Sequence, residues 1–122
     1  MHLEAGALGG WHYCNNDRIA MELIDSSKKT GDPLWQLPLW ENYSSQLKSV
    51  HADFKNIGNS MFGGAITAAL FLEKFVEKNI PWIHIDLMAW TRANKFHSYE
   101  GGEAMGIRAL LDFIKKFKDM QN

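Results

Sequence analysis

The sequence predicts an α/β fold, a part of a mixed-sheet, helix-flanked domain rather than a helical bundle or an all-β unit. Three observations carry this. Residues 81–89, PWIHIDLMA, are apolar on both faces apart from His84 and Asp86, the pattern of an interior strand. Residues 103–118 fit an amphipathic helix with Ile107, Leu110, Leu111, Ile114 and Phe117 on one face and Lys115, Lys116 and Lys118 elsewhere. No other stretch makes an equally convincing strand. An interior strand needs two neighbours, so the remaining strands of the sheet are expected outside this segment or on another chain.

The other elements follow in chain order. Residues 1–10 are small and Gly-rich, with Leu3 and Leu8 as anchors, and read as a short strand or loop. Residues 11–14 form a short β-prone patch. Asn15, Asn16 and Asp17 are N-cap types, so a helix follows. Ile19, Leu23 and Ile24 make its apolar stripe, Lys28 and Lys29 favour its C-terminal dipole, and Gly31 and Pro33 stop it. Residues 31–40, GDPLWQLPLW, hold two prolines, which rule out a regular helix or a central strand and leave a packed connector. A short helix fits residues 41–48, and a Gly-containing loop fits 52–64. Residues 66–78 carry apolar groups on most sides, which predicts a helix buried up to its charged last turn. Residues 91–102 are polar and loop-like.

Composition narrows the function classes. A chain of 122 residues is one domain at most, and such a domain buries roughly two-thirds of its unfolded surface. A net charge of -1 gives no electrostatic footprint for nucleic acid. No apolar run approaches the ~20 residues of a membrane helix, and residues 1–10 show no secretory leader, so neither a nucleic acid nor a membrane is an expected partner. A lone Cys14 makes no internal disulfide and fits a reducing, cytoplasmic setting. Five Trp in so short a chain call for a deep core or a partner surface.

Few constellations could carry chemistry. His84 and Asp86 stand two apart on the strand and share a face, so they could hold a metal or act as an oriented base. The plainer alternative is a buried polar pair that steadies the strand. His12 and Cys14 could give two soft ligands, short of the four that a structural zinc site takes. Cys14 as a nucleophile lacks an identifiable partner. His51, Asp53 and His97 fall in expected loops. The glycines of EGGEAMG (residues 100–106) and Gly63-Gly64 precede helices and could cradle an anion on free N–H groups, but EGGEAMG lacks the Walker lysine, its two glutamates repel phosphate, and close helix packing accounts for both sets of glycines.

Five ordered blocks carry a resemblance. TGDPLWQLPLW (residues 30–40), QLKSVHADFKNIG (46–58), GGAITAALFLEKFV (63–76), PWIHIDLMAW (81–90) and GGEAMGIRALLDFI (101–114) run in the order of the C-terminal part of the catalytic domain of leucyl aminopeptidases of peptidase family M17. The likeness covers about residues 15–117, so residues 1–122 resemble a partial catalytic domain. The resemblance implies a cytoplasmic metallopeptidase, a hydrolase that releases N-terminal residues from peptide substrates. It implies two divalent ions, manganese or zinc, and a homo-hexamer. The family's metal ligands lie in two further segments, one with a lysine and aspartate before a DSGG-like turn and one NTDAEGR-like. Neither occurs here, and AGALGG (5–10) looks like a shortened remnant of the family's TLTGA…ALG stretch. No catalytic residue and no metal ligand is therefore carried over, and no metal is expected to bind this chain alone. The resemblance does place Leu87, Met88 and Ala89 beside the pocket for the substrate's first side chain. His84 and Asp86 match the family's HLD positions, which are not metal ligands.

Three functional readings follow: a C-terminal aminopeptidase fragment inactive by itself, half of a split enzyme completed by another chain, or a non-catalytic assembly or binding module. Exposed sheet edges and apolar faces are expected to promote association of the chain with itself or a partner.

Overall fold

A computed structural model describes residues 9–92 and 99–119. The elements are β1 (Gly10–Cys14), α1 (Asp17–Thr30), β2 (Leu34–Gln36), a 3₁₀ helix (Glu41–Leu47), α2 (Gly64–Glu73), β3 (Ile83–Asp86), β4 (Trp90–Thr91), β5 (Gly101–Gly102) and α3 (Ile107–Asp119). The mixed α/β class is as the sequence predicts. Three strands form a sheet in the order β2-β1-β3, with β1 parallel to β2 and antiparallel to β3. A separate two-stranded ladder joins β4 to β5.

Helix α1 has the caps its sequence announces. Asn16 is extended, and its side chain accepts the Ile19 N–H at 3.1 Å. Gly31 ends the helix at φ 61°, a left-handed conformation that costs glycine nothing. The Gly31 and Asp32 N–H groups then bond the Lys28 and Ser27 carbonyls at 3.4 and 3.0 Å. Ala20, Leu23, Ser26 and Ser27 are buried, Met21 is exposed, and Ile19 packs at the margin of the core.

That core is Leu23, Leu34, Ala109 and Phe113, flanked by Ile83, Ile85, Leu87, Leu110 and Phe117. It lies between one sheet face and the pair α1 and α3. The buried face of α3 therefore runs through Ala109, Leu110, Phe113 and Phe117. This corrects part of the face expected from sequence: Leu110 and Phe117 pack on the core as expected, whereas Ile107, Leu111 and Ile114 are exposed. Both sets recur at three- and four-residue spacing, so periodicity alone does not choose between them.

Other differences have local causes. β1 and β2 are strands where the sequence shows a β-prone patch and a connector. β2 escapes the prolines because Pro33 and Pro38 lie outside its three residues. β3 is shorter than residues 81–89, and among the described residues it has one neighbour, β1, rather than two. α2 stops at Glu73, because Phe75 and Val76 bond carbonyls three residues back and tighten the last turn. It is also less buried than its composition predicts: Thr67, Ala69 and Leu70 are covered, whereas Leu72 is exposed, as is Phe75 just past its end. α3 starts at Ile107 rather than residue 103, after Gly106 at φ 76°.

The Asp32 carboxylate, 3% exposed, closes the start of α3. Oδ1 accepts the Gly106 N–H at 2.9 Å, and Oδ2 accepts those of Arg108 and Ala109 at 3.0 and 3.3 Å. The Arg108 guanidinium lies 3.5 Å from Oδ1. Lys29 on α1 bonds Asp112 on α3 at 2.6 Å, an exposed pair of smaller weight. Replacing Asp32 with alanine leaves buried N–H groups unpaired and is expected to lower unfolding stability by about 2 kcal/mol in urea titration. Asp32→Asn, which keeps one acceptor, should fall between alanine and the parent.

Candidate functional site

The residues singled out from sequence gather around β1 and β3. Their register pairs Trp11 with Asp86, His12 with Ile85, Tyr13 with His84 and Cys14 with Ile83. Strand alternation puts His12, Cys14, Ile83 and Ile85 on the face toward α1 and α3. Trp11, Tyr13, His84 and Asp86 share the opposite face.

On that face His84 stacks on two rings. Tyr13 lies 5.8 Å away between centroids and Trp82 lies 6.0 Å away. Burial pulls the His84 imidazole below the ordinary histidine range, and the nearby Asp86 charge opposes this only in part. Burial, reinforced by Asp86, pushes the Tyr13 phenol up. Near neutral pH the face therefore presents a neutral imidazole and a protonated phenol. The fully buried Tyr13 hydroxyl has no hydrogen-bond partner. His84 and Asp86 do share a face, as the sequence predicts, and they meet an aromatic stack rather than a third donor.

Metal chemistry finds no foothold among the described residues, where no three His, Cys, Asp or Glu side chains group closely enough to hold an ion. His12 is fully buried with both ring nitrogens unpartnered, and burial lowers its pKa. The Cys14 thiol donates to the Asn16 carbonyl at 3.1 Å, and burial raises its pKa, so it is a poor nucleophile. His51 and Asp53 are exposed in a loop, and His97 lies outside the described residues. An open groove of about 460 Å³ sits beyond the ends of β1 and β2, lined in part by Cys14, Asp17, Glu41 and Glu73. Its carboxylates do not converge into a metal cluster.

The glycine-rich approach to α3 is not an open anion cradle, because Asp32 already occupies the helix N-terminus. Gly106 is there for close packing: a Cβ would come within 3.2 Å of Leu87 Cδ1. Gly63, at φ 70°, sits against the Tyr43 ring in the same way.

Leu87, Met88 and Ala89 leave the end of β3. Leu87 is half-buried and packs on the helix-side core. Met88 is half-buried, while Ala89 is exposed at φ 50°. The Ala89 carbonyl accepts the Glu103 N–H at 2.9 Å, and Trp90 and Thr91 pair with Gly102 and Gly101. The segment is thus held at both ends. Asn15, read from sequence only as an N-cap type, steadies the other end of β3. Its Nδ2 donates to the Ile80 carbonyl at 3.0 Å, and its Oδ1 accepts the Trp82 N–H at 2.8 Å. Its place at the end of a short β-prone patch was the only signal. No helix among the described residues is long and apolar enough to cross a membrane.

Comparison with known proteins adds the following. The model of the cytosol aminopeptidase family, catalytic domain, matches residues 5–111. A probable cytosol aminopeptidase of Persephonella marina is 39% identical over 112 residues, which is 90% of this chain and 22% of that protein. The crystal structure of a cytosol aminopeptidase from Coxiella burnetii superposes with a TM-score of 0.89 at 43% identity, over 93% of this chain and 25% of that one. The bottromycin maturation enzyme BotP in complex with Mn superposes with a TM-score of 0.86 at 29% identity, over 92% of this chain and 25% of that one. The chain thus spans about a fifth of the length of the curated relatives it matches.

The buried His12 and the half-buried His84 set a pH dependence. Both fold with a pKa below the ordinary 6.5, so the unfolded chain binds more protons in that window. Their contribution is complete above pH 6.5 and is lost as the pH falls toward the lowered folded values. Urea midpoints should drop between about pH 7.5 and about pH 5, and the drop should shrink in His12→Leu. At neutral pH His12→Leu should match or exceed the parent, because it removes an unpartnered buried polar ring.

Proposed function

We propose, from the premise that the chain belongs to the cytosol aminopeptidase family, that it supplies scaffold and one wall of a metallo-aminopeptidase catalytic site and does not hydrolyse peptides by itself. The observation that carries this is the match over residues 5–111 together with donors that, among the described residues, do not gather into a group able to hold an ion. The manganese or zinc pair that the resemblance implies does not fit the described residues, so no step is assigned through it. The complete catalytic domain would take peptide substrates in the cytoplasm and release their N-terminal residues.

In this reading Leu87, Met88 and Ala89 line the pocket for the first side chain of the substrate. Their support is rigidity. Leu87 is fixed by core packing, and the Ala89 carbonyl is tied to Glu103. A wall held from both sides can discriminate side-chain size, because it does not yield to a poorly fitting group. His84 and Asp86 then serve as positioning residues behind the wall: a neutral ring clamped between Trp82 and Tyr13 keeps the strand flat before it turns.

A second reading, completion by another polypeptide in a split enzyme or an oligomer, is favoured by the apolar groups left open on α2 and α3. A non-catalytic assembly module would share that surface but gain no activity on completion.

The test is leucine amide hydrolysis by the purified 122-residue chain, with and without manganese, against a mock purification. No turnover above the mock is expected from folded protein, and metal-dependent turnover would overturn the reading. Exchanging residues 1–122 for the matching quarter of the Coxiella burnetii enzyme should give an active chimera. In it Met88→Ala should change the leucine-over-alanine preference in kcat/KM by roughly tenfold. An unchanged preference would remove Met88 from the pocket.

A further inference from the structure

Between the first turns of α1, the last turns of α3 and the approach to β3 lies a cleft of about 280 Å³. Its floor is apolar, built by Ile19, Pro81, Phe113 and Phe117. The two phenylalanine rings stand 5.8 Å apart between centroids at 31° and form one aromatic wall. Phe113 belongs to the core, and Ile19 and Phe117 pack at its margin, so core packing holds the floor in shape. The volume lies at the small end of the ~300–1,000 Å³ range of ligand sites, which suits a molecule of a few heavy atoms.

Two opposite charges stand on the rim, Arg18 and Glu22. They are four residues apart on α1, so they share a face about 6 Å apart along the axis. They form no ion pair with each other or with another described residue. The order explains this in part, since a cation placed N-terminal to its anion is the weaker arrangement of such a pair on a helix. An open cation and an open anion thus stand over one apolar floor. A molecule that carries a carboxylate, an ammonium and an apolar side chain on a single carbon matches all three features.

We propose that this cleft binds a free α-amino acid with an apolar side chain. The Arg18 guanidinium donates to the carboxylate, the Glu22 carboxylate accepts from the ammonium, and the side chain lies on the floor against Phe113 and Phe117. The cleft is separate from the segment of residues 87–89. Pro81 approaches one end of β3 and Leu87 leaves the other, about 20 Å away at about 3.3 Å per residue. The proposal stands on the cleft alone and does not require the catalytic reading above.

The experiment titrates the isotope-labelled 122-residue chain with L-leucine and follows backbone amide shifts. Saturable shifts with a Kd of about 1 mM are expected, confined to residues 18–22, 80–82 and 113–117. Leucine amide, which lacks the carboxylate, and isocaproate, which lacks the ammonium, should each bind at least about fivefold more weakly. Glycine, without the side chain, should bind at least about tenfold more weakly. Arg18→Gln and Glu22→Gln leave the core intact, and each should weaken leucine at least about fivefold. Lys28→Gln, which removes a charge at the far end of α1, should leave binding unchanged. No saturation by about 20 mM overturns the proposal. So does isocaproate or leucine amide binding as well as leucine, which reports an apolar patch only, and so does glycine binding as well as leucine, which reports a charge pair only. Shifts confined to residues 87–89 support the catalytic reading and overturn the separate cleft.

Discussion

The buried carboxylate of Asp32 is the joint between the helix pair and the sheet. Four consecutive residues do separate jobs there. Gly31 turns the chain out of α1 in a left-handed conformation, and the Asp32 N–H returns to the Ser27 carbonyl. The Asp32 side chain then accepts three N–H groups from the start of α3. Pro33 offers its carbonyl to Gly10, and Leu34 enters both β2 and the core. Hydrogen bonds to an ionised acceptor are about twice as strong as neutral ones, and a buried helix start without partners is costly. Moving this carboxylate would shift α3, and with it the Ala109 and Phe113 side chains that complete the core and the Gly106 backbone on which Leu87 rests.

Much of this was legible in the sequence where the signal is chemical rather than periodic. Asn16 and Gly31 mark the ends of α1 because capping depends on one residue's own atoms. The strand around Ile83–Asp86, the proline-bounded segment after Gly31 and the common face of His84 and Asp86 follow from equally local rules. The role of Asp32 was hidden. Its partners lie more than seventy residues away, and a GDP tripeptide looks like a turn whichever helix the carboxylate meets. β1 and β2 were faint because each is short and gains its strand character only from the other and from β3. Asn15 is the same case, a side chain whose two partners belong to the approach to β3.

The misassigned part of the α3 face carries more information than the correct assignments. Ile107, Leu111 and Ile114 form one stripe, and Ala109, Leu110, Phe113 and Phe117 form another. A helix apolar on two sides is suited to cover on two sides, and among the described residues only the side facing α1 and the sheet is covered. α2 also leaves apolar groups open, with Leu72 exposed near its end and Phe75 exposed just beyond it. Both helices show the same excess of apolar surface over cover. Isolated exposed apolar residues are ordinary, but stripes of them on two helices suit the second reading proposed above, completion by a further polypeptide.

This arrangement separates what positions a catalytic site from what reacts in it. A substrate wall needs stiffness, which packing and main-chain bonds provide without any ionisable group. Leu87 against the core and Ala89 tied to Glu103 are held in that way, and the aromatic clamp on His84 adds stiffness while burial holds the imidazole below the ordinary histidine range. Metal ligands have opposite needs, since they must be charged or hydrogen-bonded and must converge on one point. The apolar, stacked surroundings that keep residues 87–89 rigid would penalise a charged ligand set. Under the function proposed above, specificity surface and reactive centre are therefore built on different segments of the chain, and residues 87–89 would belong to the first.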